Sequence, residues 1–329
     1  MRFRVGSTLG LLVAVVSMAP LDAGAADLIR ARLAENLSPI SGIAVVAKAT
    51  GLFEKHGLDI AVSNFTSGKQ CLDTVMGGGA EIATAAEAPN TAAAMANEPI
   101  AYVAGMEYSD DKTLVLRSAG ITTGADLKGK TIAYTAGTGS EVYTAELLKR
   151  AGLTAKDVRL VNLRPQEMAP ALAAGSIQVM NTWEPHIANG RKALGDKVAP
   201  LDTRGVYAET FNIVVMRSYL SASPQVVEQF LAALIEAEAW MKQHPDEAVA
   251  LVAKAVGMKA PELKAIWGDY VFHVGIGNKQ IDALKKHARW RLETNNHPPG
   301  ATSIPDFSKI IARAPLQKLD PSRLSYAGG

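Results

Sequence analysis

The sequence predicts an α/β protein of two lobes, each a mostly parallel sheet flanked by helices, with a ligand cleft between them. Three observations carry this. Strand-like and helix-like runs alternate as βαβαβ over residues 28–105. A second α/β unit follows from residue 126. Two apolar runs, 113–118 and 213–218, both end in Arg-Ser and read as extended crossings between the units. The chain has 329 residues, 48% hydrophobic and 20% charged, enough for two separate cores.

In order, residues 28–33 read as the first strand, with Ile29 and Leu33 apolar. Glu35-Asn36-Leu37-Ser38-Pro39 is a loop at its carboxyl end, where open α/β sheets form ligand crevices. Residues 41–48 are Ala-rich and helical, and 51–58 close that helix and turn. Residues 59–64 alternate as a second strand. Ser67-Gly68 opens a helix to about Met76, with the Ser67 hydroxyl at its start. Gly77-Gly78-Gly79 breaks before the strand 81–85, Ala86-Glu87-Ala88-Pro89-Asn90 begins the next helix, and 100–105 is a strand.

In the second unit, strand 131–134 feeds Ala136-Gly137-Thr138-Gly139-Ser140 and then a helix from Glu141 that stops at Ala151-Gly152-Leu153. Strand 158–163, helix 165–174, strand 179–182 and a helix from Pro185 complete it. Helices at 224–240, 245–255, 261–270 and 279–294 are expected to pack on the first lobe, with Trp240, Trp267 and Trp290 in its core. The expected division is 26–115 with 213–329 for the first lobe and 116–212 for the second, with hinges near 113–118 and 208–216.

The Gly-rich turn has its own chemistry. The first N–H groups of a helix lack intrahelical partners and sit at the positive end of its dipole. Gly137 and Gly139 let a ligand approach them, and Thr138 and Ser140 add hydroxyls, so an anionic head group fits. The alternative is a plain cap by Thr138 or Ser140 with turn glycines. The Lys of a phosphate-binding P-loop is missing.

Arg2 and Arg4, the apolar run 9–18 and Ala23-Gly24-Ala25 read as a signal peptide over 1–25, cleaved before Ala26 or Asp27, so the mature chain is expected in the periplasm. An uncleaved anchor is the other reading. A net charge of +2 without a basic run argues against nucleic acid as a partner. Cys71 is the only cysteine, a small buried residue or a nucleophile. His273, His287 and His297 have no metal-ligand spacing, and no cofactor is expected.

The motifs together resemble the periplasmic substrate-binding proteins of ABC importers for alkanesulfonates, taurine and nitrate, in the superfamily of thiamine-pyrimidine-precursor proteins. The resemblance covers the chain to about Leu220. It rests on the segment 51–58, Ser67-Gly68, Ala86-Glu87-Ala88-Pro89, Asp126-Leu127-Lys128-Gly129-Lys130, Gly137-Thr138 and Trp183-Glu184-Pro185-His186. Ala86, Glu141 and Glu35-Asn36 depart from the alkanesulfonate pattern. The resemblance implies the type II periplasmic-binding-protein fold and a monomeric, non-enzymatic protein. It would close on a small ligand by hinge motion and dock on a permease driven by an ATPase.

Loops at strand ends are expected to bring Glu35, Glu87 and Glu184 to one crevice, joined by Glu209, with Asn36, Ser38, Ser67, Gly68 and residues 137–140 around the ligand. Carboxylates repel a bare anion, so the expected ligand carries donor groups as well as an acceptor end, as taurine or a pyrimidine does. Trp183 would supply a stacking or cation–π wall. Each Glu has a structural alternative: a helix cap for Glu87, a salt bridge for Glu184, solvent for Glu35. Two other classes stay open: an enzyme on the same fold, with Cys71 as nucleophile and His56 or His186 as base, and a ligand sensor for a membrane receptor.

Overall fold

The computed structural model describes Met1 and residues 28–325. The expected signal peptide and its cleavage site therefore lie, Met1 apart, outside the described residues.

The first lobe begins β1 (Ile29–Asn36), α1 (Gly42–Ala49), α2 (Leu52–Lys55), β2 (Leu58–Phe65), α3 (Gly68–Met76), β3 (Ile82–Ala86), α4 (Glu87–Met95) and β4 (Ile100–Asp110). The second lobe is β5 (Lys112–Leu116), β6 (Thr131–Tyr134), α5 (Gly139–Arg150), β7 (Arg159–Asn162), α6 (Pro165–Ala173), β8 (Val179–Thr182), α7 (His186–Leu194) and β9 (Val198–Leu201). The chain then returns through β10 (Ala208–Met216), α8 (Arg217–Ala222), α9 (Pro224–Gln243), α10 (Pro245–Val256), α11 (Ala260–Lys264), β11 (Val271–Gly277), α12 (Asn278–Glu293), α13 (Ala314–Leu319) and β12 (Leu324–Ser325).

Two sheets result, ordered β12-β11-β4-β10-β3-β1-β2 and β7-β6-β8-β5-β9. The expected parallel pairing holds for β1 with β2 and β3, and for β6 with β7 and β8. The strands that carry the chain between lobes pair antiparallel: β10 with β3 and β4, and β5 with β8 and β9. Both sheets are therefore mixed.

The chain changes sheet at Asp111 and again between Leu201 and Ala208. Both changes fall a few residues before the expected hinges. Residues 113–116 already pair inside the second sheet, and 208–216 lie wholly in the first. The apolar runs that read as crossings are sheet interior, and the links are short: Asp111 alone, and 202–207, whose Val206 and Tyr207 still pack into the second lobe's core. β4 likewise runs five residues past the expected end at Gly105, because β10 and β11 flank it on both sides.

Glycine sets one packing distance. A Cβ at Gly68 would stand 2.9 Å from Ala85 Cα and 3.0 Å from Ala86 N, so only glycine lets the start of α3 lie against β3.

The first core fills with Leu33, Phe53, Tyr102, Phe230 and their neighbours, and the stacked pair Phe53–Phe230 docks α9 onto α2 with ring centroids 5.0 Å apart. Trp240 and Trp267 pack on this core as expected. Trp290 does not. It packs against the second lobe's cluster around Ile132, Val142 and Tyr143. Helix α12 is thus a strap between lobes, reinforced by Lys286 with Glu146 at 3.3 Å and by Asn296 Nδ2, just beyond it, donating to Glu141 Oε1 at 3.0 Å.

Candidate ligand site between the two lobes

Strand register turns the two sheets edge to edge. β1, β2 and β3 are parallel, so their carboxyl ends lie together, and the Phe211↔Ala86 and Phe211↔Glu107 pairs bring the start of β10 and the far half of β4 to the same edge. That edge carries Glu35, Asn36, Glu87, Glu107 and Glu209. In the second sheet β6 and β8 end at Tyr134 and Thr182, and the Lys112↔Thr182 pair puts Asp111 beside them. That edge carries the 137–140 turn, Asp111, Trp183 and Glu184. The edges meet where Glu209 reaches Gly139: a Cβ on Gly139 would stand 2.5 Å from Glu209 Oε1 and 3.2 Å from Asp111 Oδ2.

This contact changes the reading of the anion seat. The Gly139 N–H partly offsets the Glu209 charge. The Gly137 N–H donates to Glu141 Oε2 at 2.8 Å, with Gly137 at φ +76. Thr138 donates its hydroxyl to Thr135 O, and Ser140 donates to Asn181 O, both at 2.7 Å. The Gly137 N–H and both hydroxyls expected to hold a ligand anion serve the protein itself, and the helix start faces the protein's own carboxylates.

On the first edge, Ser67 caps α3 by accepting from Gln70 N at 3.4 Å, and Gly68 is a packing residue. Glu87 caps no helix. Its Oε1 accepts from Tyr207 O–H, and its Oε2 accepts from Thr210 N at 2.7 Å and Thr210 Oγ1 at 3.1 Å, so it ties α4 to the returning strand. Burial still raises its pKa, against the pull of those hydrogen bonds. Glu35 is buried rather than facing solvent, and burial lifts its carboxyl to about 8. Asn36 Oδ1 and Ser38 Oγ are buried without a hydrogen-bond partner.

On the second edge, Glu184 accepts from Ala188 N at 2.8 Å and lies 3.4 Å from Lys112 Nζ, which also holds Asp269 at 2.8 Å. Trp183 is 8% exposed, edge-on to His186 at 5.9 Å, and its Nε1 has no partner.

Two acids escape a sequence reading. Glu107 and Asp111 are buried, and none of their four carboxylate oxygens makes an aligned hydrogen bond. Ser109 on the same strand eases the Glu107 charge slightly, but burial and Glu87 push its pKa far up. Burial, then Glu87 and Asp110, push Asp111 to about 8. Burial and then Asp111, Glu87 and Glu107 raise Glu209 well above the usual range. Glu107-Tyr108-Ser109-Asp110-Asp111-Lys112 looks like a solvated loop in sequence. Only the pairing of β4 with β10 and β11 buries it. Among the described residues no group of three or more His, Cys, Asp or Glu is placed to hold a metal ion.

Two α/β lobes that oppose their strand carboxyl edges across a buried polar seam define a cleft-binding protein of the periplasmic-binding-protein fold. The chain belongs to the NMT1/THI5-like family, which residues 39–248 match. It is 27% identical over 227 residues to a putative aliphatic sulfonates-binding protein of Escherichia coli K12, covering 66% of this chain and 69% of that one. Among solved structures, the alkanesulfonate-binding protein SsuA from Xanthomonas axonopodis pv. citri, bound to MOPS, superposes with a TM-score of 0.76 at 21% identity, over 88% of this chain and 100% of that one. The desulfurization enzyme DSZB shares the fold too, with a TM-score of 0.65 at 16% identity, over 89% and 100% of the two chains.

Proposed function

We propose that this chain is the periplasmic, monomeric solute-capturing component of an ABC importer. It closes its lobes on a small polar organic ligand and delivers the ligand to a permease driven by an ATPase. The observation that carries this is the seam itself: Glu107 and Asp111 are buried between the lobes, Asp111 with no aligned hydrogen-bond partner among the described residues and Glu107 with only Ser109 to ease its charge. A folded protein tolerates such groups where a ligand supplies the partners. Sulfonate and taurine are the ligand classes suggested by kinship and pyrimidines by the superfamily, and the acids of the seam require donor groups on whichever is bound. Closure takes place about the links at Asp111 and 202–207, where the chain changes sheet.

The enzyme reading draws no support from Cys71. Its thiol is fully buried, donates to Ser67 O at 3.4 Å, and is pushed far up by burial and by nearby Glu35, the reverse of an activated nucleophile. Burial drops His186 to about 4, and His56 bonds Glu236 at 2.9 Å.

The test is a thermal-shift screen of the chain from Asp27 onward against sulfonates, taurine, nitrate, pyrimidines, amines and amino acids. A ligand that binds only the folded state raises Tm. A rise that persists in Cys71→Ser supports capture. Turnover of a ligand that vanishes in Cys71→Ser sinks it.

A further inference from the structure

The solute-binding reading leaves the ligand's charge open, and the inference here rests on that reading. We propose that the ligand carries a cationic head group with N–H donors, an ammonium or amidinium, neutralised jointly by Glu107, Asp111 and Glu209.

Charge balance is the first ground. The two edges bury Glu35, Glu87, Glu107, Asp111, Glu184 and Glu209. Among the described residues, the one ion pair made by these six is Lys112 with Glu184, and Lys112 is shared with Asp269. Glu87 is satisfied by neutral donors. Among the described residues Asp111 has no aligned hydrogen-bond partner, and Glu107 has only Ser109 to ease its charge. A buried carboxylate without a partner either takes up a proton or waits for a cation. Once ionised, the carboxyls that face one another here repel a sulfonate more strongly than they repel any neutral molecule.

Unpartnered groups of other kinds are the second ground. Asn36 Oδ1, buried at 3% exposure, is an acceptor on the first edge that lacks a donor. Trp183 lies one residue beyond the Lys112↔Thr182 pair and therefore opposite Asp111. Beside Glu107, Phe272 is its register partner on β11, and Tyr270 stacks on Phe272 with centroids 5.9 Å apart. Burial, and then the charges of Glu184 and Glu107, push the Tyr270 hydroxyl's pKa up. Carboxylates set among aromatic faces are the surroundings that attract an organic cation. The helix start that would favour an anion is already faced by Glu209.

The experiment is calorimetric titration of the chain from Asp27 onward with putrescine, agmatine and benzamidine, and separately with methanesulfonate, ethanesulfonate, taurine and calcium chloride. At least one of the three cations is expected to bind. Glu107→Gln and Asp111→Asn, each checked for folding by circular dichroism, should weaken that binding by roughly thirtyfold or more. Asp246→Asn, an exposed acid in the first turn of α10, should not change it. Binding of a sulfonate or taurine alone, unweakened in Glu107→Gln, overturns the cation and leaves solute capture standing. Binding of calcium alone overturns the organic head group. No binding by any probe overturns both.

Discussion

The first lobe buries two glutamates to the same depth, Glu238 on α9 at 2% exposure and Glu107 on β4 at 1%. Their surroundings differ completely. Glu238 accepts from Lys242 Nζ at 2.5 Å, Val274 N at 2.9 Å and Arg323 at 2.6 Å, with His273 Nδ1 at 3.3 Å. Burial works against its charge, yet these donors hold its pKa far below the usual carboxylate range. It is an ionised clasp that joins α9, β11 and the chain end. Glu107 has only Ser109 to ease it, and burial drives its pKa the other way. Burial alone does not decide a carboxylate's state. The donors packed around it do.

The sharpest way to break this contrast is to remove one proton-binding oxygen from each. Glu238→Gln leaves Arg323 without its buried counter-charge and should cost about 3 kcal/mol in urea unfolding. The same change at Glu107 removes a group that the ligand-free protein holds at a loss. It should be neutral or stabilise the ligand-free protein by about 1 kcal/mol near pH 8. A loss at Glu107 as large as at Glu238 would show that the seam is satisfied after all.

A smaller effect separates the two by pH. Asp111 and Glu35 are raised to about 8, so their contribution is complete below the unfolded carboxyl range and is lost as pH rises through about 8. Glu238 is depressed, so its contribution is present above the unfolded range and lost as pH falls below it. Ligand-free Tm should therefore decline from pH 5 to pH 9. Asp111→Asn should flatten that decline, and Glu238→Gln should blunt the acid limb instead. An unchanged slope in Asp111→Asn would remove Asp111 from the account.

Much of the architecture was legible because local pattern and final environment agree. Residues 131–134 and, apart from Asn181, 179–182 are β-branched or apolar, and both form strands at those positions. Ser67 sits one residue before a helix and caps it. The expected helix over 261–270 instead splits into α11 and a short 3-10 turn, where Trp267 packs against Phe272 at 4.8 Å. β9 and β11 were not foreseen, since 198–201 carries a proline and 271–277 a His and two glycines, and both become strands through their partners. For the site, Glu35, Glu87, Glu184 and Glu209 could be placed near a crevice, because strand ends are visible in sequence. Their partners could not.

By itself, then, the sequence determined two α/β units, the strand–Gly–helix turn at 137–140 and an excess of carboxylates at strand ends. These follow from hydrophobic period, glycine placement and residue type, which are local properties. Tertiary structure alone decided that Glu209 faces the helix start, that Glu87 is satisfied from Tyr207 and Thr210, and that Glu107 and Asp111 are left bare. Those outcomes depend on which strand lies beside which, over separations from 70 to 123 residues. Whether a buried charge is paired is a property of the pairing partner and not of the residue.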